Sequence, residues 1–221
     1  MWVTKGVSDL HVWLDIMMIA LIASTSLLIS VRFILSAVYW LAFQSLVLSV
    51  LTLVFGLAAH QSELLWIAGL TLLIKAMLIP VILRRALARI GLRRQAELAL
   101  RRETLIGGVI AMWLIGYYVT PATPSLVGSH MFLSVAIGML LSGVLVMITH
   151  QKAMMQGIGL IVIENGLFLA ALSTSLGMPL LVDVGIFMDV FVVVLLIALL
   201  TVQIDELFAS THLARLRRLR G

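Results

Sequence analysis

Apolar residues run along this chain in seven long stretches, at residues 10–30, 35–59, 64–83, 104–119, 129–149, 156–174 and 180–203. None alternates apolar with polar residues over about ten positions, the pattern of a membrane barrel strand. A hydrocarbon core about 30 Å thick is crossed by about 20 helical residues. Lipid offers no partner to bare backbone groups, so runs of this kind must be helices that close their own hydrogen bonds. The pattern therefore predicts an all-α integral membrane protein with about seven transmembrane helices, the fourth being the shortest. The first stretch has no short basic region before it and no clear small-residue cleavage site. It reads as a retained helix rather than a signal peptide.

Composition agrees with the pattern. The chain is 62% hydrophobic and 11% charged, far from the balance of soluble domains. Its calculated isoelectric point of about 10.2 invites a nucleic-acid reading, but the basic residues cluster beside the predicted spans, where the positive-inside rule puts them. Arg32 follows the first span. Arg84, Arg85, Arg89, Arg93, Arg94, Arg101 and Arg102 lie between the third and fourth, Lys152 between the fifth and sixth, and Arg215, Arg217, Arg218 and Arg220 in the tail. All fall on one side if the N-terminus is outside and the C-terminus inside, with Lys5 the exception. The outer loops at 59–63, 120–128 and 175–178 hold no Lys or Arg. At the start of the inner loop 84–103, Leu87 and Ile90 continue from Leu83 at helical spacing among arginines, and Leu213, Leu216 and Leu219 recur so in the tail. Such segments lie on an anionic membrane surface or dock a peripheral subunit, unless their charge serves topology alone.

The sequence contains no cysteine. Disulfides, thiolate metal sites and Cys-ligated iron–sulfur clusters are thereby excluded from this chain. His11, His60, His130 and His150 stand at predicted span ends and His212 in the tail, without metal-ligand spacing, and read as interfacial.

Three ionisable residues lie deep inside predicted spans: Lys75 in the third, Glu164 in the sixth and Asp189 in the seventh. Each is roughly 12–16 Å from a helix end, near the bilayer midplane. A charge at that depth costs about 2.5–3.5 kcal/mol on insertion scales, so the three must face protein or internal water rather than lipid. Their chemistry is ion pairing, proton relay or both. Pro80 lacks an N–H, so in an α-helix the carbonyl of Ala76 loses its partner beside Lys75, a place for water or the ammonium; an ordinary kink is the alternative. Gln44 adjoins a polar stripe of Ser45, Ser49 and Thr52, and its amide is costly to bury alone. Ser134, Gly138 and Ser142 form a small-residue seam in the fifth span. Asn165 can bond either protonation state of a neighbouring carboxyl, and Gly166 permits close approach.

At these residues the sequence resembles a known family. The segments YWLAFQSLVLSV, TLLIKAMLIPVIL, GLIVIENGLFLAAL and VDVGIFMDVFVVVLL resemble the component-E membrane subunit of hydrogenase-4 and related formate-hydrogenlyase complexes. The resemblance runs over nearly the whole chain. Its anchors are Gln44-Ser45-Leu46, Lys75 with Pro80, Glu164-Asn165-Gly166, and Asp183 with Asp189. Spans five to seven are also similar to the three-helix K subunit of complex I and to its small relative in Mrp-type sodium/proton antiporters. That similarity divides the chain at 1–128 and 129–221. In the K subunit two buried glutamates lie on the proton axis; Ile161 matches the first, with Glu164 one turn further on, and Asp189 matches the second.

The resemblance implies a membrane-arm subunit of a group 4 [NiFe]-hydrogenase-type complex in a bacterial inner membrane. Antiporter-like membrane subunits would be its neighbours, and the [NiFe] centre and iron–sulfur clusters would sit on partner subunits. This chain would carry no catalytic redox centre. Its proton or sodium pathway would use Lys75, Glu164, Asp189, Gln44, Asn165 and Asp183. A stand-alone secondary transporter and a purely structural scaffold are the competing readings. A retinal protein is disfavoured because the seventh span has no lysine.

Overall fold

The structure is a computed structural model, and it describes residues 2–58, 60–90, 102–120 and 130–174. Apart from short connections the described residues are helical, and they contain no strand. The helices are α1 (Trp2–Ser30), α2 (Ile34–Ala58), α3 (Ser62–Thr71), a π-helical run (Leu72–Leu78), α4 (Ile79–Ile90), α5 (Arg102–Val119), α6 (His130–Thr149) and α7 (Ala153–Thr174). Six of the predicted spans coincide with these elements; the seventh, residues 180–203, lies outside the described residues. By length and composition, five helices are apolar enough to cross a membrane: Val12–Ser30, Ile34–Ala58, Ser62–Ala88, His130–Thr149 and Ala153–Ser173. The apolar part of α5, Glu103–Val119, is shorter. The protein is a multi-pass membrane protein.

Local chemistry sets the turns. After α2 the Gln61 N–H bonds the Gly56 carbonyl at 3.1 Å and the His60 N–H bonds Leu57 at 3.4 Å. His60 sits between them in the left-handed region, φ 53°. This is a Schellman C-cap, with histidine where glycine is usual. α3 therefore folds straight back on α2, so closely that a Cβ on Gly56 would lie 2.9 Å from Leu65.

The predicted basic loop 84–103 is corrected at its start. α4 continues the third span to Ile90 without a break. Leu83 and Leu87 are fully buried against this chain's own helices, while Arg84 and Arg85 are exposed. The leucine spacing thus reflects internal packing rather than a face for lipid headgroups or a docked subunit.

Two apolar cores lie one above the other along the helices. One gathers Leu28, Leu41, Ile79, Leu83, Ile158 and Ile161. The other gathers Met18, Leu21, Leu48, Leu64, Met139 and Leu169. Between them, in the chain order of every contributing helix, fall buried polar residues: Thr25 on α1, Gln44 and Ser45 on α2, Lys75 on the π-helical run, Ser142 on α6, and Glu164 and Asn165 on α7. The outward face is apolar instead, with Trp66, Leu57, Ile110 and Ile148 all exposed. This inversion is expected where the surroundings are hydrocarbon.

The small residues set how close the helices come. Gly143 and Gly159 oppose each other across α6 and α7, and Gly166 lies against the Ala136 carbonyl. Gly116 of α5 meets the backbone of Gly138, whose open side is filled by Trp113. The Trp113 indole then donates to Ser26 Oγ of α1 at 3.1 Å.

His150, read from sequence as interfacial, is 1% exposed. It stands just past α6, where its Nδ1 is 3.0 Å from the Val146 carbonyl and 3.1 Å from Thr149 Oγ1. Burial holds its pKa below the ordinary value of 6.5, opposed in part by the Val146 hydrogen bond. An unfolded chain takes up this proton near pH 6.5 while the folded chain resists, so stability is full above that pH and falls as pH drops below it. Thermal unfolding in detergent should therefore move to lower temperature between about pH 7.5 and about pH 5.5, with His150→Gln showing a shallower fall. Identical slopes for the two proteins would remove His150 as the cause.

Candidate functional site

The polar layer is built around a buried ion pair. Lys75 Nζ lies 2.9 Å from Glu164 Oε1, with the two side chains 3% and 4% exposed. Lys75 is at the centre of the continuous span Ser62–Ala88, and Glu164 is close to the centre of Ala153–Ser173. The ammonium also sits over the Phe168 ring, 5.6 Å from its centroid. Phe168 is one helical turn beyond Glu164, so a single face of α7 supplies both the carboxylate and the aromatic face that meet the cation.

Asn165 turns the other way. Its Nδ2 donates to Gln44 Oε1 at 3.0 Å and to Ser45 Oγ at 3.4 Å. Gln44 Nε2 donates in turn to Thr25 Oγ1 at 2.6 Å, and Thr25 donates to the Leu21 carbonyl at 2.8 Å. Asn165 therefore does not serve the neighbouring carboxyl, as its adjacency suggested. It ties α7 to α2, and α2 to α1, through a chain in which each donor points the same way. Two carboxamides and a backbone carbonyl make this chain a poor proton conductor and a good positioning device, since carboxamides do not titrate. Asn165 Oδ1 is buried and has no hydrogen-bond partner among the described residues.

The rest of the α2 stripe divides between helices. Ser49 Oγ donates to the Ala68 carbonyl of α3 at 2.8 Å, whereas Thr52 bonds back to Leu48 of its own helix at 2.8 Å. The Ser49 bond fixes α3 to α2 one turn before the π-helical run begins. In that run the Ile79 N–H bonds Ile74, five residues back. Pro80 is the second residue of α4, so its missing N–H falls at the junction between the wide and the ordinary register, directly after the run that holds Lys75.

The structure thus places Lys75 with Glu164, and Gln44 with Asn165, in adjoining parts of one layer. Asp183 and Asp189 lie outside the described residues. Ile161, the position matched to a K-subunit glutamate, is fully buried in the apolar core. Three participants were not picked out from sequence. Phe168 carries the signal of lying four residues after Glu164. Thr25 stands in the polar triplet Ser24-Thr25-Ser26, midway along an apolar helix. The π-helical run has no comparable mark beyond Pro80.

No protein-family model matches the chain, and no solved structure matches it. The chain is 28% identical over 184 residues to hydrogenase-4 component E of Escherichia coli strain K12, covering 81% of this chain and 84% of that protein. The hydrogenase-4 component E of Shigella flexneri gives the same figures. An uncharacterized protein of Mycobacterium tuberculosis is 26% identical over 183 residues, covering 81% of this chain and 83% of that one. The chain is thus similar in sequence to hydrogenase-4 component E. A continuous stretch of 81% of the chain contains Lys75 and Glu164 wherever it begins, because neither lies within a fifth of the chain's length from an end.

Proposed function

We propose that this protein is a membrane-arm subunit of a complex I-like assembly of the group 4 [NiFe]-hydrogenase type, and that its Lys75–Glu164 pair takes part in moving protons or sodium ions. One observation carries the reading: a lysine–carboxylate pair buried at the centre of two apolar helices, in a chain similar to hydrogenase-4 component E. Intramembrane ionisable groups of this kind are costly and mark ion pathways. A carboxylate and an ammonium in contact compensate each other's charge in the apolar surroundings, so parting them leaves each in need of another partner, such as water or a passing ion. Gln44 and Asn165 hold the helix that bears the carboxylate. Asp189 and Asp183 would extend the route.

In this reading seven helices cross a bacterial inner membrane, with the N-terminus outside and the C-terminus inside. The first four form one unit, 1–128, and the last three a K-subunit-like module, 129–221. Antiporter-like subunits lie beside it, and the [NiFe] centre and iron–sulfur clusters reside on partner chains. The absence of cysteine from the sequence supports that division of labour.

The test is Glu164→Gln, which keeps shape and hydrogen bonding but removes the carboxylate charge. The complex should assemble and its peripheral module should still pass electrons, while ion uptake into sealed vesicles falls sharply. Wild-type uptake by the glutamine variant would leave a structural scaffold as the better reading.

A further inference from the structure

We propose that the π-helical run Leu72–Leu78 is a sliding wide turn that makes and breaks the Lys75–Glu164 ion pair. This rests on the ion-translocation reading above and gives it a moving part.

A π-helical run holds one residue more than the α-helix it replaces, and most are confined to a single turn, frequently at functional sites. Here the run extends over Leu72–Leu78 with Lys75 at its middle. Both flanks are held. On the N-terminal side the Ser49 hydroxyl grips the Ala68 carbonyl, and Gly56 brings α2 hard against Leu64 and Leu65. On the C-terminal side Ile79, Leu83 and Leu87 are locked in an apolar core. With both ends fixed, the extra residue cannot leave the helix. It can only move along it.

Pro80 makes that movement cheap in one direction. In an ordinary α-helix the proline ring clashes with the carbonyl four residues earlier, at Ala76, and its nitrogen donates nothing. The wide register relieves that clash. Because position 80 has no N–H in either register, a wide turn that slides toward the proline breaks no hydrogen bond there. Once it has slid past Lys75, that residue falls into α register with α3, turned by about 100°, the angle of one residue. Its sequence neighbours Ile74 and Ala76 are only half-buried. The turn therefore carries the ammonium from Glu164 and the Phe168 ring toward the edge of the bundle.

Deleting Met77 tests the hinge. Met77 is 57% exposed, and its loss removes the extra residue while α3 and α4 keep their faces. A structure of the assembled complex carrying this deletion should show a continuous α-helix from Ser62 with Lys75 out of contact with Glu164, and ion uptake should be lost. A continuous α-helix in which Lys75 still meets Glu164, or retention of a π turn despite the deletion, overturns the hinge. An opened pair with full ion uptake upholds the hinge and refutes the translocation reading, so the two failures are distinguishable. If the deleted chain does not accumulate, Pro80→Ala keeps the length and gives the sliding turn a bond to break. It should fix one register and slow ion uptake; unchanged helix geometry with unchanged uptake counts against the hinge.

Discussion

Lys75→Met should be the most damaging single change in the described part of the chain. It leaves the Glu164 carboxylate buried in the polar layer without the ammonium that stands 2.9 Å away. Removing one member of a buried pair typically costs about 3–5 kcal/mol, because the other charge stays desolvated. That is a large part of a typical protein's stability. Accumulation in membranes and melting temperature in detergent should both fall steeply. Lys75→Met combined with Glu164→Gln replaces both partners by neutral groups of similar size, and such replacements are often nearly neutral for stability. The double variant should therefore recover its folding and remain unable to move ions. The coupling between the two changes isolates the pair. If ion uptake returned along with stability, the pair would be an inert structural contact and the relay would have to be sought elsewhere.

Gly143→Ala should come second, although it adds one methyl group. An added Cβ at Gly143 would lie 2.6 Å from Ile163 Cγ1, 2.7 Å from the Gly159 carbonyl oxygen and 2.8 Å from the Ile163 nitrogen. Two of these atoms are backbone, so no rotamer change relieves the contact. The α6 and α7 helices must separate, and overpacking of this type costs about 1–3 kcal/mol or more. The expected loss spreads to the polar layer, because Glu164 follows Ile163 directly on α7 and Asn165 follows it. Gly69→Ala and Gly107→Ala are the controls, since nothing lies within 4 Å of a Cβ at either position. In a helix interior they should be neutral or stabilising by about 0.5–1 kcal/mol. Equal melting temperatures for Gly143→Ala and Gly69→Ala would show that the α6–α7 contact tolerates expansion.

Close approach of helices is also where small residues substitute for the hydrophobic effect. Helices gain nothing by leaving a solvent as apolar as themselves, so backbone contact and internal polar bonds must hold the bundle. The seam Ser134, Gly138 and Ser142 illustrates the division. Its spacing announced a packing face, but the partner proved to be Trp113, a large ring filling the notch above Gly138. Gly116 then brings the α5 backbone against the same helix.

The sequence by itself determined that this chain crosses a membrane as helices, because long apolar runs leave no other way to satisfy the backbone. It also determined which residues must be shielded from lipid, since the cost of exposing a charge to hydrocarbon is set by its depth along a helix. Depth is a one-dimensional property, and one-dimensional properties can be read from a string. Tertiary structure alone decided who meets whom. Lys75 reaches Glu164 across 89 positions of chain, and Asn165 reaches Gln44 across 121. Which face of each helix points inward depends on packing, and the wide turn at Leu72–Leu78 rotates Lys75 relative to an ordinary helix. Such a turn costs little in sequence and resets every angle after it, so the partner of a buried lysine is fixed only when the helices have come together.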